Sequence, residues 1–278
     1  MIAYVKKIYG IVGHPVEHSL SPAMHNAAFE AAGIDAEYRL FDISPENEEG
    51  LANFCYESDL NEIKGFSVTM PYKELIMDYC DYFDPLAKTL GAVNTVRNDD
   101  SNLNGYNTDS TGAMQALQEK VKLPGKKALV LGAGGAGRAI IYGLKEFGAE
   151  VYVYNRSPEK AKKVTEAFEV EMIDFRDIKG AGFDIIVNAT PIGSFPQIEQ
   201  SLLTAEQIKK GAVVMDIITN PLETQLLKEA KKAGAEVVSG ERMLLHQAAG
   251  QFTIWFDKPA PFKVMEEALY QELKKRTY

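Results

Sequence analysis

The stretch Lys126–Arg156, KKALVLGAGGAGRAIIYGLKEFGAEVYVYNR, decides the fold. Ala128–Leu131 is a short apolar run that predicts a buried strand, and it breaks into Gly132-Ala133-Gly134-Gly135-Ala136-Gly137, a complete G-x-G-x-x-G. A helical segment follows to Phe147, Gly148 supplies its C-terminal stop, and Glu150–Tyr154 reads as a second strand. In such a βαβ unit each glycine has its own use. Gly132 permits the tight turn, Gly134 lets a pyrophosphate approach the backbone, and Gly137 lets helix and strand pack closely. The helix N-terminus then offers unbonded N–H groups and the positive end of its dipole to the phosphates. Glycine-rich turns also arise for steric reasons alone, but the strand before this one and the helix and strand after it mark a dinucleotide site.

The end of the second strand indicates which dinucleotide. An NAD site usually carries an acid there for the ribose hydroxyls. This chain has Asn155-Arg156-Ser157, with Lys160, Lys162 and Lys163 behind. A guanidinium suits a 2′-phosphate, and the missing carboxylate removes a repulsion. A solvated basic helix face accounts equally well for the lysines, though less well for Arg156. The stretch favours NADP over NAD.

Outward from this unit, the 278 residues are 46% hydrophobic and 25% charged, which fits a globular chain of one or two domains. No apolar run reaches membrane-spanning length and MIAYVKKIYG lacks a signal-peptide core, so no membrane association is expected. Cys55 and Cys80 have neither CxxC spacing nor a His cluster, which predicts a reduced cytoplasmic setting and no metal site. Residues 1–109 hold 7 Lys and Arg against 18 Asp and Glu, a net of −11 within a total of −9, while 110–243 and 244–278 each net +1. That balance argues against nucleic-acid binding, which wants a basic face. An anionic dinucleotide belongs in the nearly neutral middle part.

Lys7–Val12 reads as the first strand. Ser21 then serves as an N-cap, Pro22 fits the first helical turn, and Gly33 ends the helix. Ala36–Ile43 alternates like a strand, and Ser44-Pro45 predicts a helix to about Ser58. Lys64–Met70 is a third strand, and Pro71 opens a helix through Cys80. This is the rhythm of a parallel sheet wrapped by helices, with a hairpin from Val93–Arg97 to Leu103–Tyr106. A helix from about Thr108 to Lys122 leads into the nucleotide unit. Strands at Phe183–Asn188, Ala212–Ile217 and Glu236–Val238, with helices between, complete a doubly wound sheet. Two helical stretches, Glu241–Phe256 and Pro261–Lys275, have no further strand to accompany them and are expected to leave that sheet and pack elsewhere.

Polar clusters stand at element ends, where sheet-based sites form: His18–Pro22, Ser67–Lys73, Gly91–Thr95, Asn107–Asp109 and Gln247–Ala249. Each also has a plain structural use. Ser21, Thr69 and Asp109 are placed as helix caps, Ser19 as a turn residue, and Gln247 as a polar position on an Ala-rich helix. Lys73 in the first turn of a helix would meet the positive dipole end, which makes a simple surface lysine less favourable there.

Taken in order, these strings resemble the shikimate dehydrogenases along nearly the full length. The matching strings are His18-Ser-Leu-Ser-Pro22 with His25-Asn26, Val68-Thr-Met-Pro71 with Lys73, Gly91-Ala-Val-Asn-Thr95, Asn107-Thr-Asp109, Gly132–Ala136, Asn155-Arg156, Asn188-Ala-Thr190, and Met243-Leu244 with Gln247-Ala-Ala249. The resemblance implies reversible reduction of 3-dehydroshikimate to shikimate with NADPH, a step in aromatic amino-acid synthesis. It implies two α/β lobes: a substrate domain over 1–109 completed by the helices of 244–278, and a Rossmann NADP domain over 110–243. It implies that Ser19 and Ser21 bind the substrate carboxylate, that Thr69, Asn94 and Gln247 hold ring hydroxyls, and that Lys73 and Asp109 form the catalytic pair. Towards the cofactor it implies Gly132, Ala133, Gly134, Gly135, Ala136, Gly137, Asn155, Arg156, Ser157, Lys160, Thr190, Ile217 and Gly240. A monomer and a homodimer both fit.

The side chains suit that chemistry. Hydride reduction of a ketone leaves an alkoxide that needs a proton as it forms, and a lysine oriented and kept charged by a carboxylate can give one. Two departures stand out. The family often has Asn at Ser67, so altered hydrogen bonding behind the site is expected rather than lost activity. Many members also have a Tyr where Thr219 ends Asp216-Ile-Ile-Thr219. Quinate/shikimate dehydrogenase, often NAD-linked, is the nearest rival, and the Ser19/Ser21 pair and Arg156 lean against it, whereas a Thr at Ser21 or an acid near Pro158 would lean towards it. A ligand sensor without turnover would not need Lys73 and Asp109. An unrelated NADP dehydrogenase would not need the first-lobe strings.

Overall fold

Short β-rich runs between helix signals build two sheets in the computed structural model of the chain, which describes residues 6–58 and 62–276. Two units result. One runs to Thr108 and resumes at Gln247, and the other spans Asp109–His246. Asp109 therefore opens the second unit, and the tail belonging to the first begins at Gln247.

The first unit contains β1 (Lys7–Gly13), α1 (Ser21–Ala31), β2 (Ala36–Asp42), α2 (Gly50–Glu57), β3 (Ile63–Val68), β4 (Tyr82–Phe83), α3 (Pro85–Leu90), β5 (Thr95–Asp99) and β6 (Asn102–Tyr106). The sheet order is β2-β1-β3-β5-β6-β4. β1 is parallel to β2 and β3, but β5 runs antiparallel to both β3 and β6, so the sheet is mixed rather than parallel throughout. The hairpin turns on Asp100 and Ser101, both at positive φ (50° and 71°), the two-residue geometry whose twist matches that of its strands. Val12, Phe66, Val68, Ile76, Val93 and Val96 form its core.

Two expected helices differ. Ser44-Pro45 opens a turn, with Asn47 N–H on the Ser44 carbonyl, and α2 starts only at Gly50. The residues between are mainly acidic and have no apolar face, whereas Leu51 and Cys55 bury one turn apart. After Pro71 there is no α-helix but a turn and a 3-10 helix at Leu75–Tyr79. Ile76 N does pair with the Tyr72 carbonyl, but the Lys73 carbonyl accepts from Val93 N at 2.8 Å, so Met77 N pairs with Glu74 instead and the α ladder does not continue.

The second unit contains α4 (Asp109–Gln118), β7 (Lys127–Leu131), α5 (Gly135–Glu146), β8 (Glu150–Tyr154), α6 (Pro158–Phe168), β9 (Glu171–Met172), β10 (Ile185–Asn188), β11 (Val213–Asp216), α7 (Gln225–Lys232) and β12 (Glu236–Val238), and the start of α8 (Gly240–Phe256). Its strands are all parallel in the order β12-β11-β10-β7-β8-β9. The direction of winding reverses between β7 and β10, the place where open α/β sheets leave a crevice. α4 stops short of Lys122 because the Leu117 carbonyl takes both Lys120 N and Val121 N. Only a 3-10 turn at Ala205–Gln207, not an α-helix, lies between β10 and β11.

The tail packs on the first unit. α9 (Phe262–Arg276) lies against α1 and buries Met265, Leu269 and Leu273. Trp255 of α8 donates to the Val96 carbonyl at 2.9 Å. A Cβ at Gly65 would stand 2.6 Å from its indole nitrogen, so the strand is kept bare for it.

Candidate active site

Because β5 and β6 are reversed relative to each other, the ends of β1, β3 and β6 and the start of β5 share one edge of the first sheet. Ser19 and Ser21 follow β1, Thr69 and Lys73 follow β3, and Asn94 precedes β5. Asn94 is buried and held on every side. Its carbonyl accepts from Val68 N at 2.8 Å, and its Oδ1 accepts from Thr108 N and Thr95 Oγ1, each at 2.8 Å. Its Nδ2 donates to Thr108 Oγ1 at 3.0 Å and to Gln247 Oε1 at 3.4 Å. Asn94 and Gln247, far apart in sequence, are thus brought together. Half-buried Lys73 is anchored by its carbonyl to Val93, directly beside Asn94. Asp109 follows Thr108 in the chain and is 2% exposed. It is the first residue of α4, so its carboxylate sits in the first turn rather than at a flanking cap position.

Ser21 is not a cap either. α1 starts at Ser21 itself, the flanking residue is Leu20, and the Ser19 hydroxyl accepts from Ser21 N at 3.2 Å. Ser21 is buried, and together with Ser67 it partners the Tyr38 phenol. Tyr38 Oη and Ser67 Oγ stand 2.7 Å apart, and Ser67 Oγ donates to Gln251 Oε1 at 3.0 Å. His25 Nε2 lies 3.2 Å from the same oxygen, and since an amide oxygen only accepts, this nitrogen carries the proton. His25 Nδ1 is then a bare lone pair, in keeping with its lack of a partner among the described residues. Burial pushes His25 down to about 3, against the opposing Gln251 hydrogen bond, so the ring is neutral. It stacks on Tyr38 with centroids 4.5 Å apart. Ser67, the departure noted in the sequence, sits at the centre of this chain. Nothing in the sequence singled out Tyr38 or Gln251, which read as ordinary strand and helix positions.

In the second unit the residues singled out for the cofactor stand at the carboxyl ends of β7, β8, β10 and β11 and at the helix starts beside them. Gly132 has φ 110°, and a Cβ there would meet Thr190 Cγ2 at 2.9 Å. A Cβ at Gly137 would lie 2.3 Å from the Gly132 carbonyl oxygen, so α5 seats on β7 only without a side chain. Gly134 and Gly135 have nothing within 4 Å of such a Cβ, which leaves open space at the N-terminus of α5. Ala133 N donates to Asn155 Oδ1 at 3.1 Å, and Asn155 Nδ2 to the Ser157 carbonyl at 2.9 Å, so Asn155 ties the turn to β8. Thr190 Oγ1 donates to Asn188 Oδ1 at 2.7 Å, and Asn188 Nδ2 donates to buried Asp216 at 3.1 Å. Burial raises the Asp216 carboxyl, against hydrogen bonds from Thr224, Asn188 and Ile218. Ile217 and Gly240 are neighbours, since a Cβ at Gly240 would stand 2.6 Å from the Ile217 carbonyl oxygen.

Arg156 is exposed and makes no ion pair among the described residues; Ser157 caps α6 and Lys160 lies exposed in its first turn. Glu159, next to Pro158, is an acid that the sequence reading passed over. It accepts from Ser157 Oγ at 2.8 Å, and its carboxyl is held below its usual value by its own backbone N–H and by that hydroxyl. Open space at a helix N-terminus, bare glycines and an uncommitted guanidinium fit a dinucleotide with a 2′-phosphate. Among the described residues no group of three or more His, Cys, Asp or Glu is arranged to hold a metal, and no helix is long and apolar enough to cross a membrane.

A parallel doubly wound sheet with this glycine turn, in a chain that also forms a mixed sheet with polar residues gathered at one edge, defines a two-unit dinucleotide-binding α/β protein. Family models for the shikimate dehydrogenase substrate binding domain, shikimate / quinate 5-dehydrogenase, and the shikimate 5'-dehydrogenase C-terminal domain match residues 11–96, 114–231 and 240–270. The shikimate dehydrogenase (NADP(+)) of Methanobrevibacter smithii is 43% identical over 284 residues, covering 98% of this chain and 99% of its own. A crystal structure of a shikimate dehydrogenase in complex with NADP+ is 41% identical with a TM-score of 0.91, covering 98% of this chain and 97% of that one. The Thermus thermophilus shikimate 5-dehydrogenase in complex with NADP(H) and shikimate is 36% identical with a TM-score of 0.87, covering 95% and 99%. The chain belongs to the shikimate dehydrogenase family.

Proposed function

We propose that the chain interconverts 3-dehydroshikimate and shikimate with NADPH and NADP+, an oxidoreductase step on a CH–OH group in aromatic amino-acid biosynthesis. What carries the proposal is the meeting of Asn94 and Gln247 at the sheet edge that also bears Ser19, Ser21, Thr69 and Lys73. In this proposal the first unit holds the substrate and the second holds NADP. Ser19 and Ser21 receive the carboxylate through hydroxyl donors, which leaves Lys73 as the principal cation near the reacting end. Thr69, Asn94 and Gln247 take ring hydroxyls. Asn94 is fixed by Thr95 and Thr108, so it presents its amide without an ordering cost at binding.

NADPH, when bound, supplies the hydride to the ketone carbon. The carbonyl oxygen then takes a proton from the Lys73 ammonium, and in the reverse direction Lys73 takes it back from the hydroxyl. Asp109 is proposed as the second member of this catalytic pair. Gly132–Gly137 and the N-terminus of α5 would hold the pyrophosphate, Asn155, Arg156, Ser157 and Lys160 would hold the 2′-phosphate end, and Thr190, Ile217 and Gly240 would complete the cofactor site. The proposed setting is the cytoplasm, with the chain acting as a monomer or a homodimer.

Steady-state kinetics of Lys73→Ala test this. The expected fall in kcat is roughly 10²–10⁴-fold with NADP affinity nearly unchanged. Lys73→Arg restores little, because a guanidinium keeps its proton near neutral pH. Asp109→Asn is also slow, and the double variant is little worse than Lys73→Ala alone if the two act as one unit. A fully active Asp109→Asn enzyme, or losses that simply multiply, would overturn the pair.

A further inference from the structure

The loop bearing Ser19 is held from the far end of the chain. Arg276, the last residue of α9, donates from Nη1 to the His18 carbonyl at 2.7 Å and from Nη2 to the Ser19 carbonyl at 3.2 Å. Its Nε donates to Glu272 Oε1 at 3.1 Å, so the guanidinium is oriented by its own helix before it meets the loop. α9 is itself fixed on α1 by Met265, Leu269 and Leu273, which places this fork beside the loop that precedes α1.

The consequence falls on one hydroxyl. Ser19 N donates to the Val16 carbonyl at 2.9 Å, the Ser19 carbonyl accepts from Arg276, and Ser19 Oγ accepts from Ser21 N at 3.2 Å. A serine hydroxyl has one donor besides its lone pairs. With its backbone and acceptor side committed, the hydroxyl proton of Ser19 is the group left to offer an anion. Arg276 fixes the peptide from which that hydroxyl projects.

We infer that Arg276 is a positioning residue for substrate binding: it clamps the His18–Ser19 peptide so that the Ser19 hydroxyl meets the substrate carboxylate. The inference rests on the proposal that Ser19 binds that carboxylate. Loss of the clamp weakens substrate binding without touching proton or hydride transfer. Its signature is a change in the KM for shikimate alone. Lysine at this position carries the charge but lacks the fork that reaches two carbonyls, so it restores only part of the effect.

The test measures kcat and both KM values for Arg276→Ala, Arg276→Lys, Ser19→Ala and the double variant Arg276→Ala/Ser19→Ala, with thermal melts of each. Arg276→Ala is expected to raise the shikimate KM by about 3- to 10-fold, the lower range for a charged hydrogen bond that is partly exposed, with kcat within about twofold and the NADP KM unchanged. Arg276→Lys falls between, and the double variant resembles Ser19→Ala. A lowered melting temperature with an unchanged shikimate KM would make Arg276 a plain helix-end contact and overturn the inference. If Ser19→Ala raises the KM and Arg276→Ala does not, the inference alone fails. If Ser19→Ala leaves the KM unchanged, the carboxylate is bound elsewhere and the inference falls with that placement.

Discussion

At the residue scale, Arg156 and His25 show opposite uses of a basic side chain. Arg156 stands exposed just past the end of β8 and makes no ion pair among the described residues, which leaves its guanidinium available to an anionic ligand. Arg156→Ala is expected to weaken NADP much more than NAD, because only NADP carries a phosphate that a guanidinium fork can grip. Dissociation constants of both cofactors check this. Equal losses would make Arg156 structural and leave Glu159, at the same edge, as the residue that decides the choice. His25 is the reverse case, fully buried and kept neutral, with an ordinary value of 6.5 lowered to about 3. Between those two values the unfolded chain binds a proton at this ring that the folded chain refuses. The stability it contributes is therefore complete above pH 6.5 and is lost as pH falls towards about 3, at up to ~1.4 kcal/mol per pH unit. Urea unfolding of wild type and His25→Asn from pH 7 down to pH 4 should show the shallower decline in the variant. Parallel declines would mean that His25 titrates normally in the folded protein.

At the element scale, the turn from β7 into α5 separates two kinds of glycine. Gly137→Ala sets a methyl 2.3 Å from the Gly132 carbonyl oxygen, which forces α5 away from the strand and should cost about 1–3 kcal/mol. Gly134→Ala meets no atom within 4 Å, so its melting temperature should match wild type while NADP binding weakens through the lost phosphate approach. If both variants melt alike and bind alike, the division between packing and phosphate contact is wrong. This βαβ unit was legible because strand, glycine turn, helix and strand are contiguous and each signal is local. Ser44-Pro45 and Pro71 misled for the same reason, since a cap or a proline is also local, while a helix needs an apolar face or free carbonyls to continue. The Lys73 carbonyl is taken by Val93, a partner no window around Lys73 contains. β4 and β9 have two residues each, too few to show any alternation. Ser21 looked like a cap because Pro22 follows it, yet its flanking role belongs to Leu20. Arg276 and Glu159 are charged surface positions whose meaning lies only in what they touch.

At the scale of the whole molecule, the strings that identify the family are spread from His18 to Gln247, and the fold gathers them by sheet topology rather than by nearness in sequence. Asn94 and Gln247 meet because the tail returns to the first unit, a packing anticipated from the lack of any strand after Val238. The acidic net of −11 in residues 1–109 gives an anionic substrate no general attraction, so recognition must fall to a few hydroxyls, amides and Lys73. The most direct measurement of the whole account is the initial rate of NADP+ and NAD+ reduction with shikimate and with quinate, in all four combinations. Shikimate with NADP+ is expected to have by far the highest kcat/KM. No turnover of shikimate, or a preference for quinate or for NAD+, would contradict it.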